Sequence, residues 1–88
     1  MLKVIKFSAS WCHPCKTYEP IFDKVQDKMK NENLEFIKCD VDQEDTMVER
    51  YGIRNVPTTV IESDGKVVKR VSGIIKEEEL ESLIKQYI

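Results

Sequence analysis

Between Ser8 and His13 the chain changes its hydrophobic period, and two cysteines stand at the change. Leu2 to Phe7 is apolar or β-branched apart from Lys3 and Lys6, the pattern of a strand buried over most of its length. Ser8, Ala9 and Ser10 break that pattern. Beyond them Tyr18, Ile21, Phe22, Val25 and Met29 recur at the three-and-four spacing of one helical face, while Lys16, Glu19, Asp23, Lys24, Asp27 and Lys28 fill the other. Trp11-Cys12-His13-Pro14-Cys15 lies at the junction, so Cys12 falls at a helix N-terminus. Unpaired backbone N–H groups and the positive end of the helix dipole favour an anion there, which lowers the pKa of a thiol. Pro14 suits the first turn, where its missing N–H costs nothing. Three residues on, Cys15 returns to the same side of the turn, within reach of a small disulfide ring but directed more toward the interior. The expectation is an exposed Cys12 that attacks, an inner Cys15 that resolves, and a site for exchanging disulfides.

Other uses of these residues compete with that reading. A zinc site needs about four ligands. His13, between the cysteines, cannot easily turn toward the same metal, and Cys39 is the only other thiol. With no second Cys-x-x-Cys and no spaced His pair, no metal is expected. Cys39 falls in a run rich in apolar residues and reads as a small buried hydrophobe. Trp11, beside an attacking thiolate, reads as an apolar wall for a partner. Pro57 is compatible with a trans proline opening a strand or with a cis bond.

The wider sequence resembles the thioredoxin family. Trp11 precedes the cysteine pair and Lys16 follows it as in thioredoxins, and Pro20 falls where members carry a proline that bends this helix. Lys38-Cys39-Asp40-Val41-Asp42 resembles the end of the family's next strand. Tyr51-Gly52-Ile53-Arg54-Asn55-Val56-Pro57-Thr58 resembles the segment bearing its cis-proline. Ser63-Asp64-Gly65-Lys66 reads as a hairpin turn, and Val71-Ser72-Gly73 resembles the glycine stretch bordering the substrate groove. The likeness runs from about Val4 to the C-terminus.

That resemblance implies an α/β, thioredoxin-like fold: a four-stranded mixed sheet, a parallel pair plus a C-terminal hairpin, flanked by three helices and lacking the leading strand and helix of full-size thioredoxins. It also implies a cis Val56–Pro57 bond and a groove walled by Trp11, Pro14, Val56, Gly73 and Ile74, in which an extended partner segment pairs with the Val56 backbone as an added strand beside Pro57. The implied activity is protein-disulfide oxidoreduction through a Cys12 mixed disulfide resolved by Cys15. Such work serves electron transport and cell redox homeostasis, with no bound cofactor beyond the redox-active Cys12–Cys15 disulfide. Implied partners are protein disulfides, with a ribonucleotide reductase as one candidate, and a flavin-dependent disulfide reductase. A monomer is expected. A thiol oxidant or isomerase, and a non-catalytic binding module, are the alternative readings.

Two positions depart from the family. Lys6 replaces a buried aspartate beneath the resolving cysteine, and Lys38 matches the lysine that normally accompanies that acid. Two ammonium groups would then meet in a poorly solvated place unless one reaches water or loses its proton. His13 replaces the usual glycine, and a histidine there can be cationic near neutral pH. Both cations would favour the thiolate and raise the reduction potential from roughly -270 mV, typical of thioredoxins, toward about -200 to -230 mV. Lys6, His13 and Pro14 are therefore the expected redox-tuning residues.

At 88 residues, the chain has room for one domain, 1–88, with a modest core. The expected elements are a strand at 2–8, a helix at 13–30 ended by Asn31-Glu32-Asn33, a strand at 34–39, a short helix at 43–51 capped by Asp42, strands at 58–62 and 67–71, and a helix at 77–87 whose start has no capping side chain at Lys76. A net charge of -2, mixed in sign along the chain, gives no footprint for nucleic acid. The N-terminus lacks the uninterrupted apolar core of a signal peptide, and no run approaches membrane-spanning length. A cytoplasmic protein is expected, with no membrane partner. In that compartment a close cysteine pair is more often catalytic than a static staple.

Overall fold

The computed structural model describes residues 1–30 and 32–88. Seven elements follow one another: β1 Leu2–Ser8, α1 His13–Lys28, β2 Leu34–Asp40, α2 Asp45–Tyr51, β3 Thr58–Ser63, β4 Lys66–Ser72 and α3 Glu77–Lys85. The strands form one sheet in the order β2-β1-β3-β4. β1 and β2 run parallel, β1 and β3 antiparallel, and β3 and β4 form an antiparallel hairpin. Asp64 and Gly65 alone make the turn of that hairpin, with φ of 50° and 86°, the positive values that suit a two-residue connection to the strand twist.

β1 is paired on both sides, which explains its nearly continuous burial. Its side chains alternate between two cores. Leu2 and Val4 join Tyr18, Phe22, Val25 and Met29 of α1 and its C-cap, Ile61 of β3, Ile75, and Leu80 and Ile84 of α3. Ile5 and Phe7 point the other way, toward Cys39, Val60 and Tyr51 of α2. β3 is also paired on both sides and is buried from Thr58 to Glu62, whereas β4 forms an edge whose side chains are mostly exposed.

Two polar residues of β3 are each matched to a helix. Glu62 accepts a hydrogen bond from the Tyr51 hydroxyl of α2. Thr59, on the α1 face, shares a 2.7 Å hydrogen bond with the Tyr18 hydroxyl. Burial pushes that hydroxyl up to about 12, against the opposing effect of Thr59, so it remains protonated at neutral pH. Tyr18→Phe leaves the Thr59 hydroxyl buried without this partner, and we expect a loss of about 1 to 3 kcal/mol. Urea unfolding monitors it, and an unshifted midpoint would contradict the assignment.

Several boundaries differ from the expectations. α1 ends at Lys28 with Met29 as its C-cap, two residues early. Asn31, first of the three residues expected to end it, lies outside the described residues. α2 begins at Asp45 rather than 43, and its N-cap is Glu44 without a side-chain bond. Asp42 does not cap it, because the helix starts three residues beyond Asp42. α3 ends at Lys85, two residues before the expected 87, and its N-cap Lys76 makes no side-chain cap bond.

Candidate active site

Cys12 is the N-cap residue of α1, and its sulfur accepts a 3.2 Å hydrogen bond from the Cys15 backbone N–H. The cap that Ser or Asp commonly supplies is here a sulfur, reached because β1 stops at Ser8 and a turn closed by the Cys12 N–H on the Ala9 carbonyl swings the chain into the helix. Pro14 lies in the first turn. Cys12 and Cys15 form a disulfide with Cα atoms 5.2 Å apart. The expected contrast in exposure is absent: Cys12 is 3% exposed and Cys15 4%. Both sulfurs sit in a small cluster with Ala9, flanked by Val41 and Val56. What separates them is their surroundings. Cys12 Sγ lies 3.7 Å from the Val56 carbonyl oxygen, an acceptor for its proton once the disulfide is reduced, while Cys15 opens onto a different cleft.

The Val56 carbonyl is placed by the loop before β3. The Val56–Pro57 peptide is cis, and Pro57 is buried. Asn55 anchors the loop: its side-chain oxygen accepts from the Thr58 and Ser72 hydroxyls, each at 3.1 Å. On the far side, the Gly73 N–H donates to the Pro57 carbonyl at 2.8 Å, with Gly73 at a φ of +92° that a side chain would strain.

Trp11 stands 69% exposed beside the pair. Its indole N–H donates to Asp42 at 2.7 Å. Next to Trp11 opens a cleft of about 460 Å³, lined also by Val41, Val48, Ile53, Arg54, Asn55 and Val56. The structure thus brings Trp11 and Val56 together. Pro14, Gly73 and the half-exposed Ile74 do not line this cleft. Val41, Val48, Ile53, Arg54 and Asn55 were missed as site residues, although all but Val48 stand within the two segments whose family likeness the sequence displays.

Lys6 is fully buried, as its place on a central strand dictates. It does not meet Lys38 as an unrelieved cation, nor does it reach water. Its Nζ donates to Glu19 of α1 at 2.7 Å and lies 5.3 Å from the Phe22 ring centroid. Lys38, its register neighbour, pairs with Asp23 at 2.6 Å. The hydrogen bond from Lys6, then its charge, lowers the Glu19 carboxyl below the usual range. The sequence expectation of two opposed ammonium groups is corrected: each is met by a carboxylate from α1. His13 is exposed. Cys39 is a free, buried thiol, and burial, followed by the Glu44 carboxylate, pushes it up to about 11.

The family model described as Thioredoxin matches residues 1–86. The chain belongs to the thioredoxin family. It is 42% identical over 83 residues to a thioredoxin of Mycoplasmoides gallisepticum, covering 93% of this chain and 80% of that one. It is 33% identical over 87 residues to a thioredoxin of Listeria monocytogenes, covering 99% and 84%. Among solved structures, Fasciola hepatica thioredoxin superposes with a TM-score of 0.89 at 34% identity, over 99% of this chain and 81% of that one. The four-stranded mixed sheet with three helices is the thioredoxin-like fold. Thioredoxins are thiol-disulfide oxidoreductases acting on protein disulfides, and this member carries the Cys12–Cys15 pair that such exchange requires. Among the described residues no group of His, Cys, Asp and Glu is arranged to hold a metal, and no helix is long and apolar enough to cross a membrane.

Proposed function

We propose that this thioredoxin-family member reduces protein disulfides as a single domain, with Cys12 as nucleophile and Cys15 as resolving thiol. The observation that carries this reading is the position of Cys12 Sγ at the α1 N-terminus, beside the Val56 carbonyl and the Trp11 cleft. In the dithiol, the thiolate of Cys12 is favoured by the helix N-terminus and by the Cys15 N–H. It attacks one sulfur of a partner disulfide, forming a mixed disulfide and releasing the other partner sulfur as a thiolate. Cys15 then loses its proton and attacks Cys12, freeing the second partner sulfur. Two electrons pass to the partner, and the chain is left as the Cys12–Cys15 disulfide. The partner groove runs through the cleft between Trp11 and Val56 and continues outside it past Pro14, Gly73 and Ile74. An extended partner segment pairs there with the Val56 backbone as an added strand, next to Pro57.

A flavin-dependent disulfide reductase returns the electrons, and a ribonucleotide reductase is one candidate recipient. We place the work in the cytoplasm, in electron transport and redox homeostasis, carried out by a monomer without a bound cofactor. His13, when protonated, favours the Cys12 thiolate and moves the chain toward the oxidant or isomerase reading. Insulin reduction tests the primary assignment. The reduced chain is expected to cleave insulin disulfides and to end with Cys12–Cys15 oxidised. Cys39→Ser should match the native rate, since that thiol is buried away from the pair. A chain that binds insulin without transferring electrons would instead be a non-catalytic module.

A further inference from the structure

The two lysines that leave β1 and β2 toward α1 are met by two carboxylates one helical turn apart, Glu19 and Asp23. The outer pair, Lys38–Asp23, is about half exposed at both ends, so solvent screens it. The inner pair is lopsided. The Lys6 side chain has no exposed surface, whereas that of Glu19 is 53% exposed. Glu19 also lines a cleft of about 330 Å³ together with Cys15, Lys16 and Asp40. One turn of α1 separates Cys15 from Glu19, so the two share a helical face.

We infer that Glu19 is a positioning residue that sets the redox equilibrium of the Cys12–Cys15 couple by cancelling the buried charge of Lys6. The inference rests on the reading of this couple as the working redox centre. Reduction adds two electrons to the disulfide; with one proton taken up, the product is one thiol and one thiolate, so a negative charge appears on the sulfurs. A nearby cation stabilises that product and a nearby anion opposes it. Lys6 alone would pull the equilibrium toward the dithiol, and Glu19 alone would push it toward the disulfide. Held at 2.7 Å from one another, they act on the sulfurs as a short dipole, and most of each effect is offset. The other charged groups facing Glu19 are Lys38 and Asp23, which form their own pair, and Lys16 and Asp40 around the cleft. They are common to every variant below.

The test is a glutathione redox titration at pH 7 of the full chain and of Glu19→Gln, Lys6→Met and the double variant. Glutamine retains an oxygen to accept the Lys6 hydrogen bond, so Glu19→Gln removes charge with little change of shape. Glu19→Gln is expected to shift the equilibrium about tenfold toward the dithiol, which is about 30 mV. Lys6→Met should shift it by a similar factor toward the disulfide. The double variant should return to within about twofold of the native value. If Glu19→Gln unfolds, the step from Lys6→Met to the double variant changes Glu19 alone and must still move the equilibrium toward the dithiol. A Glu19 that only supports the fold would lower the urea midpoint and leave these constants unmoved, overturning the inference. So would shifts of one sign in both single variants. Insulin reduction by the native chain is the control: its failure would overturn the reading of the couple, whereas its success with unmoved constants overturns only the role of Glu19.

Discussion

Cys15→Ser is expected to accumulate covalent mixed disulfides with its partners, and Cys12→Ser to accumulate none. The asymmetry does not come from exposure, since the two cysteines are equally buried in the oxidised chain. It comes from their positions on α1. Cys12 is the cap, with the Cys15 N–H directed at its sulfur and the Trp11 cleft beside it, so it is the sulfur a partner can meet as a stabilised thiolate. Cys15 lies inside the first turn and faces the cleft bounded by Glu19 and Asp40. Removing it leaves the first exchange intact and stops the second, so the intermediate persists. The effect is close to all-or-none on a non-reducing gel. Equal trapping by the two variants, or trapping by Cys12→Ser alone, would reverse the roles assigned here.

Glu19→Ala should lose about 2 to 3 kcal/mol of stability, while Lys6→Met should lose little or gain. Breaking a buried ion pair by removing one partner strands the other charge, at a typical cost of about 3 to 5 kcal/mol. Glu19 is half exposed, so water entering at its place relieves part of that cost. A chain of this size holds roughly 4 to 13 kcal/mol in all, which makes the loss a large share and moves the urea midpoint by about 1 M or more. The pH dependence follows from the lowered Glu19 carboxyl. A carboxyl whose folded pKa is depressed contributes stability above its ordinary value, near 4.3, and that contribution is lost as pH falls through the folded value. The native chain should therefore weaken below about pH 4, and Glu19→Ala should lack this part of the acid limb. Equal losses in Glu19→Ala and Lys6→Met would show that the fold depends on the ion pair itself, and that a stranded Lys6 charge adds no cost of its own.

The elements that sequence displayed best are those fixed by local chemistry. The change of period at Ser8–His13 placed β1, the start of α1 and Cys12 at that helix N-terminus, and Asp64-Gly65 marked the hairpin because few other residues accept its dihedrals. What escaped depends on which side chain arrives first from elsewhere in the chain. Asp42 is a good cap by composition, yet α2 starts only at Asp45, and Asp42 instead accepts from Trp11, 31 residues away. Lys6 and Lys38 looked mutually repulsive along the strands, because a strand register alone does not reveal which helical turn will cover it. By periodicity Glu19 and Asp23 fall on the polar face of α1. Only the packing of α1 across the sheet turns two of its surface acids into counterions. The burial of Cys12 escaped for a related reason: helix position predicts its polarity, whereas its cover comes from the Val56 loop.

Cys39 gives the molecule an internal clock. It sits on β2, a sheet edge, with its thiol held near 11 by burial and by Glu44. At pH 7 only about one such thiol in ten thousand is ionised, and the folded chain screens even that fraction from reagents. A thiol probe added to the oxidised protein, whose other two cysteines are tied together, thus has a single target that exists only while β2 is open. The rate of its capture measures how often that edge detaches, on the unmodified chain and without denaturant.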